Sequence, residues 1–298
     1  MKFLPVALCL SITVVLFSCS KSSTNNIEPI GETPAPVLEQ KVIENVAYGE
    51  DERNIMDVYL PKGRTSSSPF VVLIHGGSWI EGDKSQITAL QQQLVADGIA
   101  SVNMNYRFAS ETFHIDGMMG DVARAIAFCK ANAADWGVNV DKIGIGGVSS
   151  GGHMAMLYAL KYDKGTQIDC ILSAAGPTIF DTRDALDGAV RTNGIDLLNI
   201  MAGAVYSATQ PISNRFVEAS PIRYVNENIP TLFIHGTADV IVPYQQSVMM
   251  KAEMDKKGYT NKLVTFDGAG HDLGLNDQVT ATTFVTEIRN WIKTYETK

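Results

Sequence analysis

Three short segments, taken in chain order, constrain the fold more than any other feature. They are Gly147-Val148-Ser149-Ser150-Gly151, His235-Gly236-Thr237-Ala238-Asp239 and Gly268-Ala269-Gly270-His271. A serine with glycine two residues to either side suits a sharp strand-to-helix turn, because a β-carbon at Gly147 or Gly151 would collide with that turn. The flanks agree with this. Lys142-Ile143-Gly144-Ile145 reads as the incoming strand and Gly152-His153-Met154-Ala155-Met156-Leu157 as the outgoing helix. A serine, a carboxylate and a histidine in that order predict a sheet whose strands alternate with helices, each segment sitting at a strand end.

The rest of the chain fits that frame. Residues 41–47 and 54–60 alternate as antiparallel opening strands, and Phe70-Val71-Val72-Leu73-Ile74 is a continuous apolar run suited to a strand covered on both faces. Further strands are expected at 99–103, 142–146, 168–174, 231–235 and 262–266, with helices over 85–96, 117–134, 150–160, 244–257 and 278–295. The fold class that follows is α/β, with a mostly parallel central sheet, helices on both faces and a short cap insertion. The cap is placed at 177–228, an interval too long and irregular for a core connection, with short helices over 194–201 and 214–219.

The N-terminus differs in kind. Lys2 followed by the apolar run from Phe3 to Phe17 reads as a secretory signal over 1–18, too short to span a bilayer as a mature helix. Residues 19–40, with Lys21-Ser22-Ser23-Thr24-Asn25-Asn26 and two prolines, have little to bury and read as a flexible tether ahead of a catalytic domain over 41–298. Of four cysteines only Cys129 and Cys170 fall in that domain, and two buried free thiols are expected. A formal charge of −8 repels phosphate backbones and anionic lipid, so no nucleic-acid partner is expected. Neither a cofactor nor a metal is expected, because no cluster of ligand residues has the spacing for one.

Ser149 is the candidate nucleophile, since Ser150 would need glycine at position 148 and has Val148. A serine hydroxyl needs an adjacent base. Of five histidines, His75 precedes the Gly76-Gly77 turn, His114 has no partner pattern, His153 lies on the helix facing away from the serine, and His235 ends a strand where its ring would pin loops. His271 remains, in a glycine-bearing loop after the last strand. Asp239 lies where a carboxylate can reach it from the neighbouring strand, while Asp267 and Asp272 suit ordinary turns. His75-Gly76-Gly77-Ser78-Trp79 and the Ser150 amide would present backbone donors to an oxyanion.

Together with Gly82-Asp83-Lys84, Asn105-Tyr106-Arg107, Ser220-Pro221 and Val242-Pro243, these segments resemble the carboxylesterase and lipase branch of the α/β-hydrolases, which includes hormone-sensitive-lipase-like and bacterial feruloyl and acetyl esterases. The resemblance runs from about Val46 to Trp291. It implies Ser149, Asp239 and His271 as catalytic residues, Gly77, Ser78 and Ser150 as oxyanion donors, and a serine esterase acting on short or aromatic acyl esters, including saccharide-linked substrates. An exopeptidase or amidase on the same fold, and a catalytically silent binding protein, are the alternative readings. Leu16-Phe17-Ser18-Cys19 resembles the lipobox of bacterial lipoproteins. It implies lipidation at Cys19, export, and a membrane contact made only through that anchor, at the periplasmic or cell-surface side.

Overall fold

The computed structural model describes residues 37–296, so the signal, Cys19 and most of the tether lie outside the described residues. Eight strands form one sheet: β1 (Lys41–Ala47), β2 (Ile55–Leu60), β3 (Phe70–Ile74), β4 (Ala100–Met104), β5 (Ile143–Val148), β6 (Ile168–Ala174), β7 (Thr231–Gly236) and β8 (Asn261–Phe266). The helices are α1 (Thr88–Ala96), α2 (Ile115–Trp136), α3 (Ser150–Leu157), α4 (Arg183–Arg191), α5 (Ile195–Ala202), α6 (Asn214–Glu218), α7 (Gln245–Lys256) and α8 (Gln278–Tyr295). The strand order is β1-β2-β4-β3-β5-β6-β7-β8. Only the pairings β1 with β2 and β2 with β4 are antiparallel.

Alternation along the central strands sets the two layers of core. In β3, Phe70, Val72 and Ile74 pack on one face with α2 and α3, whereas Val71 and Leu73 pack on the other with α1 and α8. Cys129 and Cys170 are buried and free, and they belong to opposite faces of the sheet. The order reverses at β4-β3-β5, so the loops that leave β3 and β5 open side by side at the carboxyl end of the sheet, the crevice where open α/β sheets bind ligands.

The interval 177–228 carries one more α-helix than its sequence suggests, and a 3-10 turn over Pro221–Tyr224. α4 runs through Gly188, which reads as punctuation in the sequence. It forms because the Thr182 side chain caps the Ala185 amide at 3.3 Å and Leu186 is fully buried, while its many charged side chains hide the apolar stripe. At the other end of the interval, the Ser220 hydroxyl accepts the Phe180 amide at 2.9 Å and donates to the Phe216 carbonyl at 2.8 Å, tying the insertion to the start of the segment that lines the crevice.

Candidate active site

Ser149 sits between β5 and α3 with φ 54° and ψ −123°, a conformation strained for any residue with a side chain. The turn is held on both sides, by the Ser149 amide to the Ala174 carbonyl at 2.8 Å and by the His153 amide to the Ser149 carbonyl at 3.0 Å. A β-carbon at Gly147 would stand 2.5 Å from the Ile74 carbonyl oxygen, and one at Gly151 only 2.1 Å from it. Both glycines are therefore required by the close approach of the turn to β3.

The Ser149 hydroxyl donates to His271 Nε2 at 2.9 Å, and His271 Nδ1 donates to Asp239 Oδ2 at 2.7 Å. The tautomer follows from the partners: a carboxylate only accepts, so Nδ1 carries the proton and Nε2 keeps the lone pair that faces the serine. Asp239 leaves the end of β7 and His271 follows β8, its parallel neighbour. The two loops are stitched by Ala238 N to the Ala269 carbonyl at 2.9 Å and Thr237 N to the Phe266 carbonyl at 3.1 Å.

Burial alone would raise the pKa of Asp239. Hydrogen bonds from His235, His271 and the Val242 amide outweigh it and hold this carboxyl well below the usual range. An alcohol bonded to a neutral imidazole that is itself backed by a fixed carboxylate is equipped to lose its proton as it attacks an acyl carbon.

Gly77 and Ser78 lie on the loop after β3. Gly77 has φ 121°, and a β-carbon there would meet the Glu81 carbonyl oxygen at 2.0 Å. Ser78 and Trp79 follow in left-handed conformations with φ of 51° and 66°. The loop passes close to the serine turn, since a β-carbon on Gly76 would lie 3.3 Å from Ser149 Cβ. Ser150 opens α3, where the first amides of a helix have no intrahelical acceptor. Ser78 lines the same cleft as Ser149, Ser150 follows Ser149 at the head of α3, and Gly77 lies between Ser78 and the Gly76 that approaches the serine turn.

Several motif residues brace this loop from beneath. The His75 ring stacks on Tyr106 with centroids 4.5 Å apart, and Arg53 lies over Phe108 while donating to the Tyr106 carbonyl at 2.8 Å and the Gly82 carbonyl at 3.1 Å. Asn105 donates to Asp83 at 2.8 Å and accepts the Lys84 amide, and Lys84 reaches both oxygens of buried Asp57 at 2.7 Å. Arg107 pairs with buried Asp121 of α2. No sequence periodicity signals this arrangement, because it is assembled from loops distant in the chain.

A cleft of about 580 Å³ is lined by Ser149 together with Trp79, Ile179, Phe180, Leu197, Leu198 and Met249. α4, α5 and α7 supply much of this lining, so the insertion shapes the cavity. Trp79 is held by donating its Nε1–H to His153 Nδ1 at 3.1 Å, and His153 Nε2 donates to the Ala219 carbonyl at 2.8 Å. Among the described residues no group of His, Cys, Asp and Glu could hold a metal.

Burial pushes both His75 and His153 down to about 4. In the unfolded chain each takes a proton near pH 6.5, so between those values the unfolded state binds more protons. The stability they contribute is complete above about pH 6.5 and is lost as pH falls toward 4, by on the order of 3 kcal/mol each at the limit. Urea unfolding at pH 7.5 and 4.5 is expected to show a clear fall in midpoint with little change in slope. An unchanged midpoint would contradict the burial of these rings as neutral groups.

A BD-FAE family model matches residues 56–254. Esterase LipC of Mycobacterium tuberculosis is 28% identical over 251 residues, covering 78% of this chain and 60% of that protein. The probable isoprenylcysteine alpha-carbonyl methylesterase ICMEL1 of Oryza sativa subsp. japonica is 30% identical over 254 residues, covering 80% of this chain and 59% of its own length. The chain thus spans about three-fifths of the length of these curated relatives. Among solved structures, a truncated form of a carbohydrate esterase from gut microbiota superimposes with a TM-score of 0.69 at 22% identity, over 85% of this chain and 96% of that one. That likeness is one of fold.

Proposed function

The chain belongs to the BD-FAE family, and from that premise we propose that it is a serine carboxylic-ester hydrolase working through an acyl-enzyme. Ser149 Oγ attacks the ester carbonyl carbon while His271 Nε2 takes its proton. The amides of Gly77, Ser78 and Ser150 hold the oxygen of the tetrahedral intermediate, a contribution of about 3 to 4 kcal/mol for a typical donor. His271 then returns the proton to the departing alcohol, and water, activated by the same base, releases the acid. Asp239 keeps the imidazole in the required tautomer and balances its charge when it is protonated. The observation that carries this reading is the continuous chain of hydrogen bonds from Ser149 through His271 to Asp239.

The substrate class is an ester with a short or aromatic acyl group, including saccharide-linked esters. Supporting it are the aromatic and aliphatic walls of the cleft and the esterase names carried by similar proteins. The reading includes export and a lipid anchor at Cys19 with residues 19–40 as a spacer; supporting it are the apolar run from Phe3 to Phe17 after Lys2 and the lipobox-like Leu16-Phe17-Ser18-Cys19. Among the described residues no helix is long and apolar enough to cross a membrane.

A fluorophosphonate probe, which phosphonylates activated serines, tests the proposal directly. Mass-spectrometric mapping is expected to find the adduct on Ser149 and none on the Ser149→Ala protein. Folded protein that takes no label at Ser149 would refute the esterase reading.

A further inference from the structure

The oxygen of Asp239 that meets His271 has a second histidine on it. His235 Nε2 lies 3.1 Å from Asp239 Oδ2 and 2.9 Å from the Val242 carbonyl oxygen. A carbonyl oxygen only accepts, so Nε2 carries a proton shared between that carbonyl and the carboxylate. On the far side of the ring, Nδ1 is hydrogen-bonded to the Ser247 hydroxyl at 2.7 Å. Ser247 of α7 thus holds the His235 ring from behind while Nε2 faces the carboxylate. Both side chains are buried, and neither lines the cleft.

The carboxylate is fully engaged. Oδ1 accepts the amides of Ile241 and Val242, both at 2.9 Å, and Oδ2 takes one N–H from each histidine. Two amides from its own loop, one ring from β7 and one from the β8 loop leave it no freedom to rotate. We propose that His235, oriented by Ser247, is a positioning residue: it fixes the plane of the Asp239 carboxylate and shares its charge, setting how strongly Asp239 holds His271. This inference rests on the Ser149–His271–Asp239 reading above.

Few other groups reach the cluster. The Tyr244 ring stands edge-on to His235 at 5.7 Å, its hydroxyl turned to Thr265, and Asp272 is turned to the Gly274 amide. The neutral hydroxyls of Ser149 and Ser247 complete the surroundings. Charge on Asp239 Oδ2 is thus divided between two ring N–H donors. Remove one and the other receives more of it, so protonated His271 is stabilised and His271 gives up its proton less readily.

The test is the rate at which the fluorophosphonate modifies Ser149 from pH 5 to 9 in the full chain, with maximal rate and half-saturating probe concentration separated. His235→Leu is expected to move the acid limb of the profile up by about one unit. It is also expected to lower the maximal rate about ten-fold or more, with half-saturation unchanged. His235→Gln, whose amide N–H can reach the carboxylate, is expected to restore most of both. Ser247→Ala keeps the ring but removes the hydrogen bond that orients it, so a smaller shift in the same direction is expected. That variant decides the matter if His235→Leu does not fold. A wild-type chain that takes no label sinks the esterase reading itself. Labelling in which the folded variants share the wild-type acid limb overturns the role of His235 while leaving that reading in place.

Discussion

Asp239→Asn is expected to leave the protein folded and to lower turnover about ten-thousand-fold. The amide has the shape of the carboxylate, and its oxygen can still accept the Ile241 and Val242 amides that shape the loop. At the other position an N–H would face two N–H donors, His271 Nδ1 and His235 Nε2. The His271 ring relieves that conflict by moving its proton to Nε2, which removes the lone pair from the side that faces Ser149. The serine then has no acceptor for its proton, and the positive ring formed during acyl transfer has no counter-charge. Steady-state turnover of a 4-nitrophenyl ester, beside thermal unfolding of the same preparation, separates loss of chemistry from loss of fold. Activity within ten-fold of wild type would remove Asp239 from the mechanism. The structure then offers no ready substitute, since Asp272 is turned to the Gly274 amide and makes no hydrogen bond to His271.

Where these residues lie was legible because each is tied to a strand end, and strand ends announce themselves in sequence. The apolar run Phe70–Ile74 and the strands before Ser149, Asp239 and His271 appear within a residue or two of where alternation and apolar runs place them. Once strands are placed, the loops between them order the site. The reading ran short where side chains meet across loops with no repeating pattern. His235 was legible as the end of a strand, but its contact with Asp239 Oδ2 depends on a turn that brings residue 239 back over the ring. Arg53, Tyr106 and Asp83 brace the loop after β3 through contacts between residues tens of positions apart. α4 was hidden for a different reason: Gly188 and a run of charges mask a helix whose stability comes from a cap and one buried leucine.

The same glycine-to-alanine change is expected to have opposite results at two places in this fold. At Gly151 the new methyl would lie 2.1 Å from the Ile74 carbonyl oxygen and 2.5 Å from that of His75, both backbone atoms of β3 and the loop that leaves it. Neither can retreat alone, because β3 is paired on both edges, with β4 and β5. α3 must lift from the sheet, and with it goes the packing of Met154, Ala155 and Leu157, all fully buried. Gly151→Ala is therefore expected to lose about 4 kcal/mol or more of stability, enough to leave little soluble folded protein. Gly188 has no such neighbour: in α4 its nearest contact for a methyl is the Arg191 guanidinium, 3.6 Å away at the end of a flexible chain. Gly188→Ala removes a weak helix former and is expected to gain up to about 1 kcal/mol. Urea unfolding of both variants measures the contrast. Wild-type stability in Gly151→Ala would show that the serine turn does not press on β3 as closely as its geometry requires, and would undercut the reason for glycine on both sides of Ser149.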